Sequence, residues 1–284
     1  KALLQASRRF AEDERLIAVG GTIRPLSRGA LSGKTALGNG GRLPRSWLER
    51  LQVVEYARAL LMDRLGWSAL NALPIISGAF GLFSRQAVME VGGYRVGTVG
   101  EDMELVMRLH KRFSGAWPRT DRRMLFMPEP VCWTLVPVTR QALRRQRNRW
   151  QRGLIEALWL HKDMLFRRRY GRLGMVVLPY FWVFEALAPV VEMLAYGLFA
   201  ASLLSGLFFP GFTLLFLLVA LVCGTLVSQL AVGVETLFFG RYATRRERLT
   251  LFGATFLEAL GYRQMLMLER FVAIFQVLAK RGKW

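Results

Sequence analysis

The chain has 284 residues, with 40 Lys and Arg against 20 Asp and Glu, a net charge of +20. The length allows two units, and charge divides them: residues 1–172 carry 31 of the basic and 14 of the acidic residues, leaving 9 and 6 for residues 173–284. Cys132 and Cys223 are too few and too separated for a disulfide framework or a metal site, and read as packing residues in a reducing compartment. The chain opens on Lys1 and stops after Gly282-Lys283-Trp284, so it reads as an internal fragment in which no signal peptide can be judged. The positive charge admits three partners: anionic lipid headgroups, nucleic acid or a diphosphate substrate.

In chain order, residues 1–12 read as the end of a helix, and Arg15 to Ile23 as a strand breaking at a Gly pair. Residues 25–46, rich in Gly, Ser, Pro and basic side chains, read as a mobile loop. Residues 47–65 read as a helix, with Leu48, Leu51, Tyr56, Leu60 and Leu61 as its apolar positions. Pro74 to Phe83 reads as a buried strand with small residues in its middle. A helix over 85–91 should end at Gly92-Gly93. Another should begin near Glu101 and run through Phe113. Residues 123–134 read as extended, with Pro128 and Pro130 marking an edge or bend. A long helix should run from about 139 into the 160s. His110 and His161 lack metal partners at helical spacing and read as surface residues. Mixed strands and helices over 1–138 predict an α/β domain.

From 173 the character changes. Residues 173–208 hold two carboxylates, Glu185 and Glu192, and no Lys or Arg. The run exceeds the roughly 20 residues of one spanning helix, and Pro179 and Pro189 predict a two-part segment. The two acids are seven apart, so on one helix they would point the same way and avoid lipid together. Residues 211–234 are a second span. The basic loop 241–248 belongs in the cytoplasm with the basic first half. The segment 249–279 is interrupted by Glu258, Arg263, Glu269 and Arg270. It reads as a re-entrant or interfacial hairpin rather than a third crossing, which keeps Lys280, Arg281 and Lys283 inside. This apolar tail favours lipid and diphosphate over nucleic acid as partners.

Three constellations carry chemistry. On the long helix, Gln146, Arg149, Trp150 and Gly153 stand at i, i+3, i+4 and i+7 and share one face. An arginine there suits phosphate through planar bidentate hydrogen bonds, and an indole suits stacking on a sugar ring. Glu101-Asp102 follows a glycine-bearing loop. Acids in a first turn complement the helix dipole, yet a carboxylate at such a junction can also take a proton from an attacking hydroxyl. Ser77, Gly78 and Phe80 read either as close-packed strand or as a cleft floor with Phe80 as a sugar platform. Gln52 to Tyr56 is an amphipathic patch, weak alone. Arg167-Arg168-Arg169 reads as a headgroup-facing patch.

In this order the residues resemble the processive family 2 glycosyltransferases, a group that includes cellulose, hyaluronan and poly-N-acetylglucosamine synthases. The signature is a Thr-Glu-Asp type acidic pair, then Gln-x-x-Arg-Trp, then membrane helices. Glu101-Asp102 and Gln146-x-x-Arg149-Trp150 match it, with Gly100 where Thr is common. The likeness extends through Val19-Gly20-Gly21, Gln52, Glu55-Tyr56 and Ser77-Gly78-Ala79. It implies an α/β GT-A-like domain, present as its C-terminal half, followed by an α-helical transmembrane region. The divisions are 1–138 (catalytic half), 139–172 (Gln-x-x-Arg-Trp helix and basic interfacial segment) and 173–284 (membrane helices). It further implies inverting transfer from a nucleotide diphosphate sugar to a growing polysaccharide, on the cytoplasmic side of the cell inner membrane. Asp102 would be the base beside Glu101. Gln146 and Arg149 would hold the diphosphate, and Trp150, with Ser77, Gly78 and Phe80, would form the sugar site.

The family's Asp-x-Asp, which holds a divalent cation (Mg or Mn), is expected upstream of Lys1, so no metal ligand is assigned here and the fragment is expected to be inactive alone. The expected partners are the sugar donor, a glycan or glycolipid acceptor and membrane lipids, with no nucleic acid. The alternatives are a single-sugar transferase to a lipid or glycolipid, and a non-catalytic basic membrane scaffold or nucleic-acid-binding protein. The scaffold gives no reason for the shared helix face.

Overall fold

The computed structural model describes residues 2–26, 43–113, 121–206, 209–239 and 244–279. Most of the basic loop at 25–46, and the basic residues after 279, lie outside the described residues. Helix α1 (Ala2–Glu12) leads into strand β1 (Leu16–Leu26), which is buried from Leu16 to Pro25, as expected of a strand covered on both faces. A long helix follows in three parts: α2 (Trp47–Tyr56), a π-helical stretch Ala57–Met62, and α3 (Asp63–Ala69). Strand β2 (Gly81–Phe83) precedes α4 (Arg85–Glu90) and α5 (Glu101–Phe113). Strand β3 (Arg123–Leu135) and α6 (Arg140–Leu160) complete the first half. Among the described residues the sheet has three strands in the order β2-β1-β3, with β1 antiparallel to β2 and parallel to β3. The β1–β3 register slips between Gly21 and Ile23, opposite the segment holding Pro128 and Pro130, which have no N–H to give to a ladder. Thr22 Oγ1 donates to the Met127 carbonyl there, at 3.2 Å.

Helix α5 is the central element. Leu105, Val106 and Leu109 pack on Ile17, Ala18 and Phe126 of the sheet. Met103 and Met107 pack instead with Ala157 and Leu158 of α6 and with Leu173 and Val177 beyond it. A helix buried on two sides has little surface to offer, and that corrects the reading of the histidines. His110 is buried, with a ring nitrogen 2.9 Å from the Leu73 carbonyl, and burial pushes its pKa down to about 4. His161 is buried beside Glu104 at 3.4 Å, its pKa lowered by burial against the pull of that carboxylate.

The expected strand over Pro74 to Phe83 is also corrected: only Gly81–Phe83 is strand, and residues 74–80 are irregular. The reason is where the backbone donors go. Phe80 N–H turns back to the Ser77 carbonyl at 3.1 Å, and Gly78 N–H is given to a side chain on α5.

Beyond α6 runs a bent pair. Its parts are the π-helical Leu173–Val177, α7 (Leu178–Tyr180), the π-helical Phe181–Ala186 and α8 (Ala188–Leu204), with a 41° bend near Leu187. Glu185 and Glu192 stand on either side of that bend, so the single-helix spacing expected of them does not apply. Glu185 pairs with Arg270 at 2.8 Å, and Glu192 accepts from the Tyr196 hydroxyl. Helix α9 (Pro210–Phe239) is long and apolar enough to cross a membrane, with mean hydropathy 2.4 in its most apolar 18-residue stretch; the bent pair counts as a second such element if taken as one span. Helices α10 (Arg245–Leu257) and α11 (Arg263–Ala279) have 13 and 17 residues and are separated by a break at Leu260–Gly261. Arg245, Arg246 and Arg248, expected in a loop, belong to the first turn of α10. Thr244 and Glu247 form a capping box there, a signal the sequence carried openly.

One contact positions the site. Gly100, just before α5, lies against the backbone of Gly153 on α6: a Cβ at Gly100 would sit 2.7 Å from the Gly153 carbonyl oxygen. Val99 N–H donates to Glu156 Oε2 at 2.7 Å alongside it. Replacing Gly100 by Ala should therefore force α5 and α6 apart and destabilise the protein by about 1–3 kcal/mol, as overpacking does. The thermal midpoint of Gly100→Ala measures this, and an unchanged midpoint would show that the two helices are free to separate.

Candidate functional site

The acidic pair starts α5. Asp102 Oδ2 accepts from Gly78 N–H at 3.0 Å, and Oδ1 from Met103 N–H at 2.8 Å. A Cβ placed on Gly78 would lie 3.7 Å from both Asp102 Oδ2 and Glu101 Oε1, so both carboxylates face this glycine. Glu101 and Asp102 are partly exposed. The structure thus joins Ser77-Gly78 to Glu101-Asp102, two constellations set 24 residues apart in sequence between Gly78 and Asp102. Phe80 goes elsewhere: its half-buried ring packs on the cluster of Leu16, Val19 and Met127.

On α6 the four residues of the shared face divide. Gly153 is used in packing against Gly100. Gln146 Oε1 accepts from Arg147 Nη1 at 2.5 Å. Arg149 is exposed, and among the described residues no acid pairs with it. Trp150 is 39% exposed. An open guanidinium beside an open indole, near two carboxylates, can receive an anionic group and a sugar ring together.

Arg147, next to Gln146 on this helix, was missed by sequence reasoning. It is buried, and its Nε and Nη2 bind both oxygens of Glu55 at 2.9 and 2.6 Å. Its guanidinium lies 4.1 Å from the Trp150 ring centroid, and Tyr56 stands 6.3 Å from the same ring. Burial raises the pKa of Glu55, but the charge and hydrogen bonds of Arg147, with the Tyr262 hydroxyl, outweigh it and hold this carboxyl below its usual range. Removing one partner of such a buried pair costs about 3–5 kcal/mol. The available signal was Glu55 on a helix otherwise buried around it, which demands a cation; the Gln52–Tyr56 patch was noted, but its partner was not.

Gln52, fully buried, ties this helix to the approach of α6 by donating to the Pro137 carbonyl at 2.8 Å. Arg64, also missed, donates to the Ile75 carbonyl at 2.9 Å, one residue before Ile76-Ser77, within electrostatic reach of Asp102, Asp63 and Glu185. Nothing local marks Arg64, because the π-helical stretch before it shifts its direction.

The glycine contact sets the start of α5 against α6: Gly100 is two residues before Asp102, and Gly153 is three after Trp150. Among the described residues no three His, Cys, Asp or Glu side chains converge as a metal site.

The poly-beta-1,6-N-acetyl-D-glucosamine synthase of Staphylococcus aureus is 28% identical over 169 residues, which are 60% of this chain and 38% of the synthase. The enzyme of the same name from Staphylococcus epidermidis is 29% identical over 162 residues, 57% of this chain and 35% of the synthase. The chain thus matches well under half the length of these relatives. The family model described as glycosyl transferase family group 2 matches residues 24–231, from within β1, through the acidic pair and the Gln146–Trp150 face, into α9. The chain belongs to glycosyl transferase family group 2.

Proposed function

We propose that this chain forms the acceptor side of a GT-A-type catalytic centre that transfers a sugar, with inversion, from a nucleotide diphosphate sugar to a growing polysaccharide. The observation that carries the reading is the Gly100–Gly153 contact, which brings the helix that begins with Glu101-Asp102 against the helix that carries the exposed Arg149 and Trp150. The names of the relatives, both polysaccharide synthases, support the polymer as product.

In this reading Asp102 is the general base, its carboxylate aimed by the Gly78 N–H. It takes the proton of the acceptor hydroxyl as that oxygen forms its bond to the anomeric carbon. The bond from that carbon to the diphosphate oxygen breaks on the opposite face, so configuration inverts and the nucleoside diphosphate leaves. Arg149, with Gln146, offsets the charge gathering on the diphosphate. Trp150 holds the acceptor sugar, and Ser77 and Gly78 line its approach. Glu101 adds negative potential next to the base. A divalent cation, Mg or Mn, belongs to the proposal for the whole enzyme, and no step above is routed through it.

The apolar α9 and the bent pair are read as membrane helices, with the arginine-rich half against anionic headgroups on the cytoplasmic face. Arg167, Arg168 and Arg169, just before the bent pair, stand where such headgroups would be met.

Three measurements test this. In the full-length enzyme, Asp102→Asn should lower turnover by about 10²- to 10⁴-fold while donor binding is kept; turnover within a few-fold of the parent rules out a base at this position. Arg149→Lys should weaken donor affinity by roughly 10-fold or more, because lysine keeps the charge but not the planar fork. Unchanged donor affinity and rate would remove Arg149 from the diphosphate. For topology, Cys132 and Cys223 are first replaced by Ala, and a cysteine is then placed at Arg246. In intact cells it should resist an impermeant thiol reagent, and ready labelling from outside would invert the orientation.

A further inference from the structure

The break between α10 and α11 lies far along the chain from the acidic pair and from the Gln146–Trp150 face, yet one of its side chains reaches that face. Leu260 leaves helical geometry and Gly261 takes a φ of 102°, a conformation that suits glycine and turns the chain sharply. This turn delivers Tyr262 inward: its ring is buried with Leu143 and Leu266, and its hydroxyl donates to Glu55 Oε2 at 2.6 Å. Glu55 is the carboxylate that grips Arg147, and Arg147 is the cation under Trp150.

We propose that Tyr262 is a positioning residue for sugar transfer: from the α10–α11 break, its hydroxyl fixes Glu55, which fixes the Arg147 guanidinium against the indole of Trp150. The inference rests on Trp150 belonging to the site proposed above. Charge balance alone does not need this hydroxyl, because Arg147 already neutralises Glu55 through both oxygens. What the hydroxyl adds is direction. Glu55 Oε2 is shared between Arg147 Nη2 and Tyr262, and this third hydrogen bond stops the carboxylate from rotating about its last bond. A partly exposed indole on a helix has several rotamers open to it. The buried guanidinium on one side and Tyr56 nearby leave it one.

The break itself is pinned on its other flank. Glu258, fully buried, accepts from Arg58 Nη2 at 3.1 Å, Arg263 Nε at 2.8 Å and Ser228 Oγ of α9 at 2.9 Å. Arg263 Nη2 reaches the Gly224 carbonyl on α9 at 3.2 Å. The segment carrying Tyr262 is therefore anchored both to the apolar helix α9 and to the helix that carries Glu55.

The test is a double-substitution cycle in the full-length protein, reading kcat and KM for sugar transfer to an added acceptor glycan. Tyr262→Phe keeps the buried ring and removes only the hydroxyl. It should lower kcat/KM by about 10-fold, the size of one hydrogen bond to a charged group, with expression unchanged. Combined with Trp150→Phe, it should add less than about 2-fold to the loss from Trp150→Phe alone, because both act through one orientation. Glu55→Gln combined with Trp150→Phe should behave the same way. Parental kcat/KM in Tyr262→Phe, or losses that multiply in the double variants, would overturn the inference. Asp102→Asn run in parallel separates the levels: if it is inactive while Tyr262→Phe is parental, only the positioning role fails, whereas full activity in Asp102→Asn removes the site itself.

Discussion

Two glycines without side chains hold the candidate site together. At the Gly100–Gly153 contact the backbone preceding α5 rests on the backbone of α6, closer than any Cβ would permit. The acids of α5 and the arginine and indole of α6 take their relative positions from this one contact. The neighbouring hydrogen bond from Val99 to Glu156 fixes its azimuth, and the methionine packing of Met103 and Met107 on Ala157 and Leu158 fixes its depth. Gly100 stands where the family pattern more often has threonine, and in this chain the closeness of Gly153 accounts for it.

Around that contact, α6 is held by polar links from several parts of the chain. Arg144 pairs with Glu269 on α11, and Gln151 accepts from Arg270 of α11 while donating to the Glu185 carbonyl of the bent pair. Arg147 is held by Glu55 from α2. Buried or half-buried charges are costly unless matched, and here each match also specifies a register between two helices. A second set, Arg24 with Glu235 at 3.1 Å and Arg58 with Glu258, ties the sheet and the long helix to α9 and the α10–α11 break. The sheet-bearing half and the apolar half are therefore joined by ion pairs in buried surroundings.

Much of this was legible from local pattern. The helix over Glu101–Phe113 announced itself by acids in its first turn and apolar spacing, and the helix over Arg140–Leu160 by the shared face of Gln146, Arg149, Trp150 and Gly153. Gly92 and Gly93 take the positive φ values expected of glycines closing α4. The acidic pair and the Gln146–Trp150 face could be found because each is contiguous or periodic. Residues 74–80 were misread because small apolar residues look like strand until one knows that Gly78 gives its N–H to Asp102. His110 was misread because α5 is buried on two sides, and His161 because the end of α6 packs on Glu104 of α5, both tertiary facts. Arg147 and Tyr262 were invisible for a common reason: both find Glu55 by long-range folding, 92 and 207 residues away.

The π-helical turn at Ala57–Met62 bears on how this protein can vary. Such a turn holds one residue more than the α-helical repeat, so the chain on either side is out of phase by about 100° relative to an uninterrupted helix. Glu55 and Tyr56 lie before it and Arg64 after it. The two ends of one rod thereby address different neighbours, Arg147 at one end and the Ile75 carbonyl at the other. A change in side chain within the turn leaves that phase intact. The loss of a single residue there would close the wide turn to the regular α-helical repeat and leave the flanking helices nearly in place, whereas a residue lost elsewhere in the rod would swing the distal end by about 100°, so this turn is where the rod can change length by one residue.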